Sequence, residues 1–527
     1  MTAIDRRLAA LPPSVLRSLK RGLEKEGLRV QPDGRLADTP HPAALGSALT
    51  HPRITTDFSE AQLELITGVH TDAESCLREL TELHQAVYRG IGDEQVWCAS
   101  MPCRLPPDDR IPIAQYGTSN AARLKTLYRE GLSRRYGRRM QVISGIHYNF
   151  SLPDEAWPHL REGADDALPD ARYRDARYLG LIRNFRRHAW LLLLLLGASP
   201  AACGSFAPGR GQDLCTWPSG SVYGPHATSL RMGRLGYQSD AQASLAVSFN
   251  DLRGYAATLH RALTEPWPAY EAIGLRDGEA YRQLSTTLLQ LENEFYGSIR
   301  PKRTTREGER PLRALGCRGI EYLEVRCLDV SPFLPVGIDA DTMRLLDIFL
   351  LHCLLADSPP DCPREIDAMA RNQRLVAERG RDPDTRLDRD GGEVSPSDWG
   401  AELLDACGPI AAALDGACGD GRHGEVLSRA QRALREPDTL PSARVRRETE
   451  QAHATSFPRF VLERSLGNRD AVMALPFAAD AQARHAALAA RSLEEQKRIE
   501  SEDSQPFEEY RLAYLGQDLL SGPHLAD

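Results

Sequence analysis

Two hydrophobic rhythms divide this chain. Apolar residues recur every three to four positions in "TDAESCLRELTELHQAVYRGIG" (71–92), "DARYLGLIRNFRRHAWLLLLLL" (175–196), "NDLRGYAATLHRALTEP" (250–266), "DADTMRLLDIFLLHCLLAD" (339–357) and most of the segment after Pro396. That spacing predicts helices. A period of two marks shorter segments, mostly before residue 335, and predicts strands. "RGLEKEGLRV" sets Glu24 and Glu26 on the face opposite Leu23 and Lys25, and "LELIT" sets Glu64 opposite Leu63 and Leu65. "GIHYNFSLP" sets His147, Asn149 and Ser151 opposite Tyr148 and Phe150. "LQLENEFY" places Gln290, Glu292 and Glu294 together, and "GIEYLEVRCLD" places Tyr322, Glu324 and Arg326 opposite Leu323 and Val325. Side chains alternate across a strand, so each segment has a core face and a polar face. The expected fold is α+β: a largely antiparallel sheet packed by helices, with one face on the core and the other in a polar cavity.

Three domain assignments follow. Residues 1–377 are expected to form the catalytic body, 378–400 ("ERGRDPDTRLDRDGGEVSPSDWG") a charged exposed loop, and 401–527 a helical C-terminal part packed on the body. "AWLLLLLLGASP" (189–200) is the most apolar run. It is too short to span a bilayer and reads as a buried helix stopped at Gly197. "MTAIDRRLAALPPSVLRSLKRG" is amphipathic, broken by two prolines, and lacks the apolar core of a signal peptide, so a cytoplasmic protein is expected.

Composition narrows the function classes. With 527 residues, 42% hydrophobic and 26% charged, the chain is an ordinary globular protein. With a net charge of −8 and dispersed basic residues, nothing in the sequence suggests a nucleic-acid partner. The eleven cysteines include no C-x-x-C pair, which argues against a zinc site and a disulfide framework and for reduced thiols.

The polar strand faces carry the chemistry. A sheet meeting solvent mixes Lys, Thr and Glu, whereas these faces are dominated by acids. Glu24, Glu26, Glu64 and Glu324, with His147 and nearby Asp57, offer oxygen ligands and one nitrogen, a set suited to Mg2+ or Mn2+. Such an array fits phosphoryl transfer from a nucleotide, with Arg300, Lys302 and Arg303 of "SIRPKRTTR" stabilising the charge that moves. There is no Walker A sequence and no G-x-G-x-x-G after a strand, so metal and arginine rather than a glycine loop would hold the phosphates.

The segments "RGLEKEGLRV", "HPAALGSALTHPRITTDFSEAQLELIT", "SMPC", "IAQYGTSN", "LKTLYREGL", "QVISGIHYNFSLP", "GASPA", "ATSLRMGRLGY", "LQLENEFYGSIRPKR" and "GIEYLEVRCLDVSPF" together resemble the proteobacterial glutamate-cysteine ligases. The resemblance runs in order from about residue 20 to 355, weakens between about 375 and 480, and returns faintly near "EDSQPFEEY". It implies a glutamine synthetase-like fold whose active site lies on a curved, largely antiparallel sheet. It also implies ATP-dependent formation of γ-glutamyl phosphate, then attack by the amine of cysteine to give γ-glutamylcysteine, ADP and phosphate. Carried over, Glu24, Glu26, Asp57, Glu64, His147 and Glu324 resemble the magnesium ligands, and Asn149 and Arg231 resemble residues that hold glutamate. Phe58, Tyr128, Leu132, Gln141, Tyr237 and Tyr296 resemble the cysteine pocket, and Arg326 and Lys302 are the expected phosphate contacts. The expected partners are small molecules (glutamate, cysteine and ATP) with no nucleic acid and no membrane, and the chain is expected to act as a monomer. The alternatives are a γ-glutamyl ligase using another amine, a metal-dependent hydrolase, and a non-catalytic protein that has kept the fold.

Overall fold

The computed structural model describes residues 2–162, 168–207, 214–236, 240–243 and 245–526. Its centre is a seven-stranded antiparallel sheet: β1 Lys20–Val30, β2 Ile54–Thr56, β3 Gln62–Ile66, β4 Gln95–Val96, β5 Ile146–Ser151, β6 Ile299–Lys302 and β7 Tyr322–Leu328. The order is β6-β7-β5-β1-β3-β2, with β4 paired to the end of β1. Register aligns Glu24 with His147, Glu26 with Glu64, and Glu324 with both Asn149 and Arg300. Because the side-chain period is two, this alignment puts every acidic position on one face.

The other face is core. Leu23, Leu63, Leu65, Tyr148, Phe150, Leu323 and Val325 are buried there. Helices α1 Ala73–Gly90, α2 Asn120–Tyr136, α3 Asp170–Leu196, α4 Leu252–Thr264, α5 Pro311–Arg318, α6 Ala340–Leu355 and α7 Pro363–Arg379 surround the sheet. The helical periods at 71–92, 250–266 and 339–357 appear as α1, α4 and α6. α1 starts where Asp72 accepts a hydrogen bond from the Ser75 N–H. The leucine run forms the buried end of α3, which packs beneath β6 and β7 and stops at Gly197. A Cβ at Gly197 would meet the Leu193 and Thr228 carbonyls at 2.4 and 2.8 Å, so only glycine fits.

Two expectations change. "LQLENEFY" is not a strand: Glu292–Glu294 form a 3-10 turn. Glu292 pairs with Arg310 at 2.8 Å, and Glu294 with Arg135 at 2.9 Å. Arginines claim these carboxylates, and the turn breaks the alternation that a strand reading requires. The stretch 378–400 is not a bare loop either. α7 runs to Arg379, and Leu387–Arg389 pairs with Gly392–Val394 across an Asp390-Gly391 turn whose residues have φ of 55° and 84°. Asp-Gly favours this hairpin turn. The side chain of Asn372 on α7 bonds the Asp388 backbone at 2.7 and 2.9 Å, and Leu387 is buried.

The C-terminal helices pack on the body. Phe457, Phe460 and Val461 share a core with Leu28, Val30 and Trp97. Helix α8, Ala479–Glu502, lies on the 43–50 segment, where Ser492 and Gln496 bond Ser47. Helix α9, Phe507–Leu515, packs Phe507, Tyr510 and Tyr514 against Leu124, Leu127 and Tyr128 of α2. All eleven cysteines are free thiols. Among the described residues, no helix is long and apolar enough to cross a membrane.

His188 on α3 and His352 on α6 face each other in the core, ring centroids 6.1 Å apart, beside Trp399. Burial pushes His188 down to about 3 and His352 down to about 4, so both are neutral in the folded protein. The unfolded chain takes up these protons below its ordinary value near 6.5, so their contribution is complete above that pH and is lost as pH falls toward 4. Urea midpoints should drop between pH 7 and 5, and His188→Leu with His352→Leu should remove a few kcal/mol of that pH-dependent loss. Parallel pH profiles for parent and double variant would refute the assignment.

Candidate active site

The acidic face of the sheet is the floor of a cavity of about 860 Å³. All the expected site residues line it except Asn149 and Tyr237, and Tyr237 lies outside the described residues. Four carboxylates meet around one imidazole. His147 Nδ1 lies 3.1 Å from Glu24 Oε2 and 3.8 Å from Glu324 Oε1, and His147 Nε2 lies 3.5 Å from Glu26 Oε1. Glu64 completes the group, with ligand atoms of Glu24, Glu64 and His147 all within 4.8 Å of one another. Asp57 lines the cavity from the β2–β3 connection, where its backbone carbonyl accepts from Arg129.

Neighbouring charges divide these acids into two classes. Burial raises the Glu64 carboxyl well above its usual value, and Glu24, Asp57 and Glu26 push it further. Burial and Asp57 also raise Glu26. Glu324 goes the other way: burial is outweighed by Lys302 and Arg326, which hold it well below the ordinary range. Lys302 Nζ is 3.2 Å from Glu324 Oε1, and Arg326 Nη1 is 3.0 Å from Glu324 Oε2. Glu24 is also lowered, because the His147 hydrogen bond and Lys302 overcome its burial. The cluster therefore has a cation-balanced side toward β6 and β7 and an unbalanced acidic side toward β3. Oxygen donors around one imidazole, in excess of the local cations, fit Mg2+ or Mn2+.

The surrounding backbone shapes this arrangement. Pairing between β7 and β5 slips between Val325 and Leu328, a bulge at Arg326 that sets its side chain beside Glu324. Gly145, just before β5, donates its N–H to Glu26 Oε2 at 2.7 Å. A Cβ at Gly145 would lie 2.1 Å from the Arg231 guanidinium, so glycine lets that buried arginine reach the cluster. Arg231 Nη2 donates to the Arg326 carbonyl at 2.8 Å.

The aromatic and amide residues form a separate wall. Tyr128 and Leu132, one turn apart on α2, stand near Phe58 in one apolar cluster with Tyr296. Gln141 Nε2 donates to the Tyr296 hydroxyl at 2.9 Å. Asn149 is not at the cavity surface. Its Nδ2 donates to Glu24 Oε1 at 2.9 Å, and its Oδ1 is buried without a partner.

The sequence reading missed Lys125 and Arg129, which line the cavity from α2; Arg300, expected among the basic residues of "SIRPKRTTR", lines it too. Burial pushes Lys125 down to about 8. Lys125 and Arg129 are four apart and flank Tyr128, a helical-face signal that the focus on strands passed over. Arg303 bonds the Arg318 carbonyl and does not line this cavity.

Similarity to known proteins agrees with this geometry. Residues 8–376 match the protein-family model of glutamate-cysteine ligase. The glutamate-cysteine ligase of Alcanivorax borkumensis is 46% identical over 524 residues, covering 98% of this chain and 100% of that one. That of Bordetella bronchiseptica is 48% identical over 499 residues, covering 94% and 93%. The crystal structure of glutamate-cysteine ligase from Francisella tularensis in complex with AMP superposes with a TM-score of 0.89 at 33% identity, covering 95% of this chain and 98% of that one. A bifunctional glutathione synthetase from Pasteurella multocida gives 0.73 at 25% identity, with 93% of this chain matching 58% of that longer one. By the extent of the family match and the identity of full-length relatives, the chain belongs to the glutamate-cysteine ligase family.

Proposed function

We infer that the chain joins the γ-carboxylate of L-glutamate to the amine of L-cysteine at the expense of ATP, the first step of glutathione synthesis. The γ-phosphoryl group passes to the γ-carboxylate, giving γ-glutamyl phosphate and ADP. The cysteine amine then attacks the acyl carbon, and phosphate leaves. The observation that carries this reading is the acidic cluster around His147, flanked by Lys302, Arg326 and Arg231 in one cavity. Neither a different acceptor amine nor hydrolysis is favoured, given full-length relatives named as glutamate-cysteine ligases.

Glu24, Glu26, Asp57, Glu64, His147 and Glu324 would hold Mg2+, with Mn2+ suited to the same donors. The metal supplies charge neutralisation for the phosphates. Lys302 and Arg326, each within 3.2 Å of Glu324, present cations where phosphoryl charge shifts. Arg231 holds the glutamate moiety, and Asn149 acts by fixing Glu24. Phe58, Tyr128 and Leu132 enclose the cysteine side chain, while the Gln141–Tyr296 pair hydrogen-bonds its polar groups. Eleven free thiols support a reducing, cytoplasmic setting.

The direct test is ADP release with glutamate plus a panel of amino acids and amines. A clear preference for cysteine is expected, and release without glutamate, or equal release with all amines, would overturn the reading. Glu324→Gln should lower kcat on the order of 100-fold or more, because it removes a metal-ligand charge. Its circular dichroism should stay native, because Leu323 and Val325 on the packing face are unchanged. Near-parental turnover would remove Glu324 from the ligand set.

Glu64 gives a second test, on stability. Without divalent cation its charge is disfavoured by Glu24, Asp57 and Glu26, so Glu64→Gln should leave Tm unchanged or raise it. With saturating Mg2+ and ATP, the parent should gain more Tm than the variant. Equal ligand-induced shifts would mean that Glu64 is not a ligand.

A further inference from the structure

Tyr296 stands two residues past the 3-10 turn Glu292–Glu294, on a connection with neither a strand ladder nor a helix to hold it. Side chains hold it instead. Its hydroxyl accepts from Gln141, and its backbone N–H donates to Gln242 Oε1 at 3.1 Å. Gln242, from the short helix Asp240–Ala243, also donates Nε2 to the Glu294 carbonyl at 2.9 Å, so one side-chain amide grips the backbone on both sides of Phe295. The Tyr136 ring meets the Tyr296 ring edge-on, with centroids 6.0 Å apart.

Tyr136 is the last residue of α2, and it returns to the same turn. Its hydroxyl donates to Glu294 Oε1 at 2.7 Å, and burial, then the Glu294 charge, push that phenol well above its ordinary value, so it stays a donor. Arg135 Nη1 donates to the same oxygen at 2.9 Å, and both side chains of this ion pair are fully buried. Glu294 Oε2 accepts from the Gln290 N–H at 2.7 Å. Gln290 in turn donates Nε2 to the Tyr128 carbonyl at 3.3 Å, packed against Gly131, where a Cβ would lie 2.0 Å from Gln290 Oε1. These bonds tie the 290–296 segment to α2, the helix that supplies Tyr128 and Leu132 to the same wall.

Resting on the acceptor pocket proposed above, we propose that Glu294, with Arg135 and Gln242, positions Tyr296 for recognition of the acceptor amino acid. Glu294 and Arg135 do not line the cavity, so they act through Tyr296 and not on substrate. Stability alone does not call for such a pair, because apolar residues of similar volume often serve a core as well or better. Charge-assisted hydrogen bonds add direction that apolar packing lacks. The carboxylate sets one register of the turn against α2, Gln242 then sets the backbone of Tyr296, and the hydroxyl arrives opposite Gln141.

Steady-state kinetics of the whole protein, read as ADP release, test this role. Glu294→Gln should raise KM for cysteine about tenfold, while kcat and the KM values for glutamate and ATP stay within about twofold. Tyr296→Phe should also raise KM for cysteine, and adding Glu294→Gln to it should change that KM by no more than about twofold, because both substitutions remove the service of one hydroxyl. Factors that multiply in the double variant, or a KM for cysteine that either single substitution leaves unchanged, would overturn the proposal. So would a fall in kcat or a rise in all three KM values together, the pattern of a general loss of packing. If Glu294→Gln fails to fold, Gln242→Ala decides by the same cycle with Tyr296→Phe, since it leaves the ion pair in place. Parental turnover with cysteine, together with an unmoved KM in folded variants, refutes the positioning role alone. Absence of glutamate- and cysteine-dependent ADP release by the parent refutes the reaction, and this role with it.

Discussion

Like charge held on one face of an antiparallel sheet is the constraint on which the structure depends. Glu24, Glu26, Glu64 and Glu324 converge on His147 while their neighbours Leu23, Leu63, Leu65, Leu323 and Val325 lie in the core. Burying carboxylates costs several kcal/mol each unless they are paired. The core face must therefore hold the strands in register against that repulsion. The helix that carries the leucine run, α3, packs under β6 and β7, the strands that carry the compensating cations.

The balance is local. Glu324 has Lys302 and Arg326 within 3.2 Å, and Glu24 has His147 and the Asn149 amide. Glu64 lies within 4.8 Å of Glu24 and His147, and the acids Glu24, Asp57 and Glu26 outweigh Arg129 in their effect on it. On the opposite side of β1, Lys25 is buried in the core and pushed down to about 8 by that burial, with Cys98 and Glu26 opposing the shift. A sheet with an excess of acid at β3 and a surplus of base at β6 has a built-in field across its strands. In the proposed reaction the cations at β6 would meet phosphate charge, and the acids toward β3 are the residues that would hold divalent metal.

Much of this was legible in sequence because strand chemistry is written with period two. The pairs Glu24 and Glu26, His147 and Asn149, and Glu324 and Arg326 each declared a polar face, and register then assembled them. The same rule misled at Glu292 and Glu294, whose alternation is an accident of a 3-10 turn and whose charges are consumed by Arg310 and Arg135. No local pattern announces a distant arginine. The hairpin at Asp390-Gly391 carried its turn signal, which was hidden within a charged run. Asn149 was correctly placed on the polar face, but only the pairing of β5 with β1 directs its amide to Glu24 rather than to the cavity. Lys125 and Arg129 were missed because the cavity takes one wall from a helix.

That helical wall makes the remote C-terminus part of the site. Tyr128 and Leu132 depend on the placement of α2, and α2 is buttressed by Phe507, Tyr510 and Tyr514 of α9. Tyr514 itself reaches the large cavity. Asn120, at the start of α2, bonds Asp503 and the Gln505 carbonyl at 2.7 Å, so the chain end fixes the helix from its first turn. A sheet can align acids by backbone pairing alone. The proposed acceptor pocket has no such ladder and must be positioned by packing, which is less tolerant of lost volume. Substitutions in α9 should thus act on acceptor binding while leaving the acidic cluster, held by β1, β5 and β7, in place.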